Sequence, residues 1–190
     1  MPHDIARDLG LLQEADSRLV RTVDGFQGDD WVHPSGLPDW SRAHVVAHLA
    51  LNAEALAGAL HGIVEGEPAA MYASQEARDG DIADLAQGEA SELRERLMGG
   101  CGLFTEAATA MTDEAWSAEI ERVPGGPTFR AASVPLMRLR EVEIHHADLD
   151  AGYGIGDWPA SFSHRLLHEI ATGYATRADA PALTLHPDET

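Results

Sequence analysis

The segment from Arg42 to Val64 constrains the fold most, because the helix it predicts is apolar on nearly every side. The segment is rich in alanine, leucine and valine, Ser41 precedes it as a candidate N-cap, and Gly62 and Gly66 lie at its end. A helix with so little polar surface needs other elements to cover it. We therefore expect this helix to be buried.

Helical patterns recur on both sides of this segment. Apolar residues at spacings of three and four predict further helices over residues 3–26, 74–86, 89–111, 135–149 and 159–177. The Gly99-Gly100 pair is a weak point in one of them, and a Pro-Gly-Gly-Pro turn within residues 118–130 predicts a small hairpin. Long helices joined by short loops are typical of an up-and-down bundle.

The last residues of the chain have a different pattern. Residues 182–185 (Ala-Leu-Thr-Leu) resemble a strand, and a lone strand needs a partner. We therefore expect a helical bundle over residues 1–156 and, over residues 157–190, the beginning of a second domain that this chain does not complete.

Composition limits the partners of the protein. The chain has 13 basic and 32 acidic residues, which gives a formal net charge of -19 at pH 7. Such a surface repels phosphate backbones and anionic lipids, so we expect no nucleic-acid and no membrane partner. A small anionic substrate remains compatible, because a few buried arginines reverse the sign of the field locally. We expect a monomer.

The single cysteine and the N-terminus bear on location and chemistry. Cys101 excludes an internal disulfide and a thiolate-caged zinc, and no histidine lies close to it in sequence, so it is a poor nucleophile candidate. The charged first residues lack the apolar stretch of a signal peptide. These features favour the cytoplasm.

The apolar helix carries two histidines, His44 and His48, four residues apart and therefore on one face. Buried histidines need partners. The pair is compatible with metal ligands, but taken alone it favours core histidines that are bonded to carbonyl groups or to a carboxylate.

A second constellation lies in the helix predicted over residues 135–149. Arg138, Glu141, His145 and Asp148 are three or four residues apart and form one polar stripe. The stripe is compatible with metal ligands, or with a solvated face that carries internal ion pairs, including one between Arg138 and Glu141.

The two helices together strengthen the metal interpretation. His48, Glu141 and His145 supply two imidazoles and a carboxylate, and three protein ligands with an open position are the pattern of a catalytic zinc site. Zinc with an open position binds a thiol and lowers its pKa. The His-Glu-x-x-His signature, a glycine-rich phosphate loop and a Gly-x-Ser-x-Gly elbow do not occur in the sequence.

Three blocks of sequence resemble the mycothiol-dependent maleylpyruvate isomerases, which are DinB-like four-helix metalloenzymes. They are residues 40–53 (WSRAHVVAHLALNA), 71–78 (MYASQEAR) and 137–149 (MRLREVEIHHADL), in the family's order and at compatible separations. The resemblance implies a mainly α fold, in which a DinB-like up-and-down four-helix bundle precedes the start of a truncated C-terminal α/β domain.

The same resemblance implies the site and its cofactors. Zinc would be held by His48, Glu141 and His145, and mycothiol or a related low-molecular-weight thiol would be the second cofactor. Arg78 matches a functional arginine of the family, which makes it the candidate catalytic residue that holds the anionic substrate. The family has another active-site arginine in the part that this chain lacks.

The function that the resemblance implies is the cis-trans isomerisation of maleylpyruvate to fumarylpyruvate in gentisate breakdown. One alternative is a transferase that conjugates the same thiol to electrophiles. A further alternative is a non-catalytic helical module in which zinc only stabilises the bundle, and an occupied fourth coordination position would distinguish it.

Overall fold

Six helices and two short strands make up the described part of the chain. The structure is a computed structural model that describes residues 4–177. The elements are α1 (Ile5–Asp24), α2 (Arg42–Glu65), α3 (Gln75–Leu85), α4 (Ala90–Ala110), β1 (Glu119–Glu121), β2 (Thr128–Arg130), α5 (Val134–Asp148) and α6 (Ala160–Ala175). The six predicted helices and the predicted hairpin are confirmed, with ends that differ by one or two residues.

The chain divides into two compact units, residues 1–156 and residues 157–190. The described part of the second unit contains α6. The strand predicted over residues 182–185 lies outside the described residues, so the α/β character of the second unit stays a prediction.

Four long helices form the bundle of the first unit. Helix α2 packs against α4 and α5, α1 packs against α5 and α4, and the short α3 lies against α2. The largest apolar side chains of the core include leucines and a phenylalanine with essentially no exposed surface: Leu19, Leu49, Leu60, Leu93, Leu97, Phe104 and Leu139.

The predicted burial of α2 is confirmed. By length and composition alone this helix could cross a membrane, but 72% of its most apolar window is buried inside the protein, as in a core helix. Ser41 caps its start, and the imidazole of His44 completes the capping box by accepting a hydrogen bond from the Ser41 backbone N–H.

The Gly99-Gly100 pair does not interrupt α4, contrary to the weak point expected from the sequence. Gly100 lies where α4 crosses α2, and a Cβ placed there would be 3.1 Å from both the Ala50 carbonyl oxygen and the Ala53 Cβ. The missing side chain therefore lets the two helices approach closely, and the packing gained offsets the low helix propensity of glycine.

The hairpin is joined to the segment that precedes α3. Strands β1 and β2 pair antiparallel, with Ile120 opposite Phe129. On the other side of β1, the Met71 N–H donates to the Glu121 carbonyl at 3.0 Å and the Tyr72 N–H donates to the Arg122 carbonyl at 3.2 Å. This parallel ladder brings two distant segments to one side of α2.

A second set of contacts ties the start of α2 to the end of α5. The Arg42 guanidinium donates to the carbonyl oxygens of Leu149, at 2.8 Å, and Asp150. The Gly36 N–H donates to the Asp148 carbonyl at 2.7 Å. The last carbonyl groups of a helix have no hydrogen-bond partner within that helix, and these donors bind the carbonyl groups at the end of α5. The contacts therefore hold the start of α2 against the end of α5.

Arg138 does not pair with Glu141, which was the alternative left open by their spacing. Its side chain is fully buried and donates to the Leu49 carbonyl at 2.8 Å and to the Asn52 Oδ1 at 2.9 Å. Asp16 Oδ1 lies 3.9 Å from its Nη2. Arg138 therefore joins α5 to α2 and faces the acid on α1.

Replacing Gly100 by leucine should destabilise the bundle, because the new side chain would push α4 away from α2. Overpacking of this kind costs about 1–3 kcal/mol. Gly102→Leu is the matched control, since a Cβ at this exposed position meets nothing within 4 Å. It should stabilise α4 by up to about 1 kcal/mol through helix propensity. Urea unfolding of the two variants measures the difference, and equal free energies of unfolding would contradict the close approach at Gly100.

Candidate metal centre

Helices α2 and α5 bring the three predicted ligands together. One candidate ligand atom from each of His48, Glu141 and His145 lies within 4.8 Å of the others. Glu141 Oε2 is 2.8 Å from His48 Nε2 and 3.4 Å from His145 Nε2. The two imidazole rings meet edge to face with their centroids 4.8 Å apart. Two imidazoles and one carboxylate at these distances fit a divalent transition metal such as zinc.

Each histidine is oriented by a partner on its second nitrogen. The His145 Nδ1 lies 2.8 Å from Asp148 Oδ2, so this carboxylate accepts the Nδ1 proton and leaves Nε2 directed at Glu141. Such carboxylate–histidine pairs orient metal ligands and raise their basicity. Asp148 is one helical turn after His145, and this spacing in the sequence indicates that the two side chains can contact each other.

His48 is oriented differently. Its Nδ1 faces the Arg78 Nη2 at 3.3 Å, and since a guanidinium is only a donor, Nδ1 accepts and the neutral ring carries its proton on Nε2, toward Glu141. Trp40 covers the ring, with centroids 5.7 Å apart. The site thus joins three helices, since Arg78 lies in the first turn of α3 behind the Ser74 cap.

The charges of the cluster favour an ionised carboxylate. Burial alone raises the pKa of Glu141, but the hydrogen bonds from His145 and His48 outweigh burial and hold the pKa well below its usual range. Burial lowers the pKa of His48. For His145 burial acts in the same direction, yet the bonds to Glu141 and Asp148 outweigh it and raise the pKa. A metal ion therefore competes with a proton on His145 and meets a carboxylate that is already charged.

The cluster is open on one side. The side chain of Glu141 is 36% exposed, whereas that of His48 is 5% exposed. A cavity of about 210 Å³ begins at His48 and is bounded by Tyr72 and Arg78, among others. The Nε of Arg78 is buried without a hydrogen-bond partner among residues 4–177. The site can therefore take a further ligand beside the two histidines.

His44 and Cys101 lie outside the cluster. His44 is occupied by the Ser41 cap, with Nδ1 2.8 Å from the Ser41 hydroxyl. Burial, reinforced by the charge of Asp16, raises the pKa of the Cys101 thiol to about 12. A thiol with that pKa holds almost no thiolate at neutral pH, so Cys101 is not a suitable nucleophile.

Comparison with known families fits this geometry. A family model described as "Mycothiol maleylpyruvate isomerase N-terminal domain" matches residues 12–150, which is most of the chain and includes the three candidate ligands. The chain belongs to this family. A comparison with curated protein sequences finds no match.

The fold is also similar to that of solved structures. A crystal structure of the mycothiol-dependent maleylpyruvate isomerase superposes with a TM-score of 0.80 at 32% identity, covering 87% of this chain and 69% of that one. A histidine-to-alanine mutant of that isomerase matches with the same TM-score and coverage at 31% identity. The DinB-like four-helix fold predicted from the sequence is thereby confirmed.

The sequence analysis did not identify one residue that borders this site. Arg122, just after β1, lines a small cavity together with His48, Arg78 and Glu141. Its position depends on the ladder between β1 and residues 69–72, and no local pattern in the sequence indicates that pairing.

Replacing His48 by alanine should abolish high-affinity zinc binding, because it removes one of the three candidate ligands. His44→Ala is the matched control on the same face of α2 and should retain zinc, at some cost in helix stability. Equilibrium dialysis followed by metal analysis measures both. Stoichiometric zinc in the His48 variant would overturn the assignment of the three ligands.

Proposed function

We propose that this protein is a zinc- and mycothiol-dependent isomerase that converts maleylpyruvate to fumarylpyruvate. The zinc would be held by His48, Glu141 and His145, and the thiol would be mycothiol or a related low-molecular-weight thiol. The observation that carries the proposal is the open side of the three-residue cluster, next to the half-buried Arg78, whose Nε has no hydrogen-bond partner among residues 4–177. Membership of the family supports the choice of thiol and substrate.

The reaction is an addition followed by an elimination. A bound thiolate would supply the nucleophile for one carbon of the cis double bond, and the electron pair would move onto the conjugated carbonyl oxygen as an enolate. Rotation about the resulting single bond and loss of the same thiolate would give the trans isomer, so atoms and charge balance without another reactant. The zinc would supply the acidity that makes the thiolate available at neutral pH.

Arg78 is positioned to bind the anionic substrate. Its Nη1 donates to Asp79 at 2.7 Å, its Nη2 faces His48 at 3.3 Å, and the side chain lines the cavity. The buried Nε has no hydrogen-bond partner among residues 4–177. If His48 held a metal, its neutral ring would carry the proton on the nitrogen that faces Arg78 and would no longer accept from that guanidinium. Arg78 would then have further donors for a carboxylate or for the enolate oxygen.

The geometry argues against a purely structural zinc. Structural zinc sites have four protein ligands, and only three candidates converge among residues 4–177. The cavity at His48 gives a small molecule access to the remaining position. A thiol transferase would share this arrangement, and the two reactions differ in what becomes of the thiol.

The test follows maleylpyruvate by proton NMR with the zinc-loaded protein, with and without mycothiol. Fumarylpyruvate that forms only with the thiol, while the thiol is regenerated, is the expected result. Stoichiometric consumption of the thiol into a stable adduct would favour the transferase. No conversion with zinc and thiol both present would contradict the proposal.

Replacing Arg78 by glutamine should leave zinc bound and lower kcat/KM for maleylpyruvate by about 100-fold, since losing one preorganised donor to an oxyanion costs at least that much. Arg78→Lys is the matched variant, which keeps the charge without the forked donors and should recover part of the rate. Steady-state kinetics on zinc-loaded protein measures the effect. Wild-type kcat/KM in the glutamine variant would remove Arg78 from the reaction.

A further inference from the structure

A dicarboxylate substrate needs a cationic partner for each carboxylate, and Arg78 supplies one of the two. Maleylpyruvate carries a carboxylate at each end, and the protein that is to bind it has a formal net charge of -19. The field of the whole chain opposes such a dianion, so local cations must reverse the sign at the site. The question is which side chain meets the second carboxylate.

Arg122 lies at the site beside Arg78. A small cavity of about 40 Å³ is lined by both arginines together with His48, Glu141 and Tyr72, among others. The larger cavity at His48 also carries the acids Glu54 and Asp81, whereas Glu141 is the one acid among the described residues that line the small cavity. The small cavity is therefore the more favourable place for an anionic group. Its volume exceeds the roughly 10–15 Å³ that one water needs, which suits a carboxylate rather than a whole dicarboxylate.

The backbone around Arg122 is held on both sides. Its carbonyl accepts from the Tyr72 N–H at 3.2 Å, and its own N–H donates to the Pro127 carbonyl at 3.0 Å across the turn of the hairpin. The ladder fixes Arg122 relative to Tyr72, whose ring lies under the Arg78 guanidinium at 5.8 Å. The two arginines are thus presented from one connected backbone unit rather than from independent loops.

The Arg122 guanidinium is available to a ligand. Within residues 4–177 its side chain makes no hydrogen bond and no ion pair closer than 4 Å. The exposed carboxylate of Asp79 accepts from the Gln75 amide at 2.9 Å and from the Arg78 Nη1 at 2.7 Å, and the charge of Arg122 adds to these in lowering the pKa of Asp79. Both guanidinium groups are therefore close enough to act on one carboxylate.

We propose that Arg122 is a substrate-binding residue, which binds one terminal carboxylate of a small dicarboxylate while Arg78 binds the other. The assignment rests on the proposed function for the identity of the substrate. It extends that function by naming the residue that distinguishes a dicarboxylate from a monocarboxylate.

The test measures the binding of pimelate, an unreactive dicarboxylate with the chain length of maleylpyruvate, to zinc-loaded protein without thiol. NMR titration gives the Kd for the wild type, Arg122→Gln and Arg122→Lys. The glutamine variant should bind pimelate about tenfold more weakly or worse, as expected when a hydrogen-bonded charge pair is lost, and lysine should restore part of the affinity. Heptanoate, with one carboxylate, should lose less affinity than pimelate or show no measurable binding to either protein.

Arg130→Gln is the matched control. Arg130 is an exposed arginine on β2 of the same hairpin, so the variant has the same change in net charge away from the cavity. It should leave the Kd for pimelate within twofold of the wild-type value. The proposal is overturned if wild type does not bind pimelate, if Arg122→Gln binds it as tightly as wild type, or if Arg130→Gln or heptanoate shows an equal loss.

Kinetics separate this proposal from the proposed function. If the wild type isomerises maleylpyruvate, Arg122→Gln should raise KM more than it lowers kcat. If the wild type fails to isomerise it but the difference in pimelate binding is present, the reaction is wrong and the dicarboxylate site stands.

Discussion

The enclosure of α2 by α3, α4 and α5 is the constraint on which the rest of the structure depends. A buried polar side chain on this helix has no water to bind, so a partner inside the protein must satisfy it. His48 is met by Glu141 and Arg78, and Asn52, one turn later, is met by Arg138. The same alignment of α5 on α2 satisfies both positions, and it also brings His145 to the cluster. The solution to burying polar groups therefore builds the candidate metal site.

The fold was predictable because its signals are local. Ser41 caps α2 as expected, and the period of apolar residues gave each helix to within two residues at its ends. The grouping of Glu141 with His145 and Asp148 followed from their spacing on one helix, and only the pairing of that helix with His48 required a tertiary contact. That contact was inferred from the chemistry of a three-ligand site, and the resemblance to a known family implied the same residues.

What the sequence did not indicate depends on how distant segments pack. Helical periodicity groups Arg138 with Glu141, yet its guanidinium turns into the core because Leu49 and Asn52 offer acceptors there. The Gly99-Gly100 pair predicts a weak point in the helix, whereas in the structure Gly100 allows the close approach of α2. Arg122 reaches the site only through a backbone ladder with residues 69–72, which no motif indicates. In each case the deciding feature comes from a distant part of the chain: hydrogen-bond acceptors for Arg138, the space between two helices for Gly100, and a strand partner for Arg122.

Net charge and local field lead to different conclusions about ligands. A formal net charge of -19 disfavours long polyanions, which contact a large area of surface, but a small dianion meets only the groups around one cavity. Two of the acids near His48 already have cationic or hydrogen-bonding partners. Both carboxylate oxygens of Glu54 accept from the Arg96 guanidinium at 2.6 Å, and Glu141 lies between two imidazoles. Zinc would add positive charge at the same place. An acidic protein can therefore present a cationic site for a small substrate, provided that the neutralising pairs are as close as these.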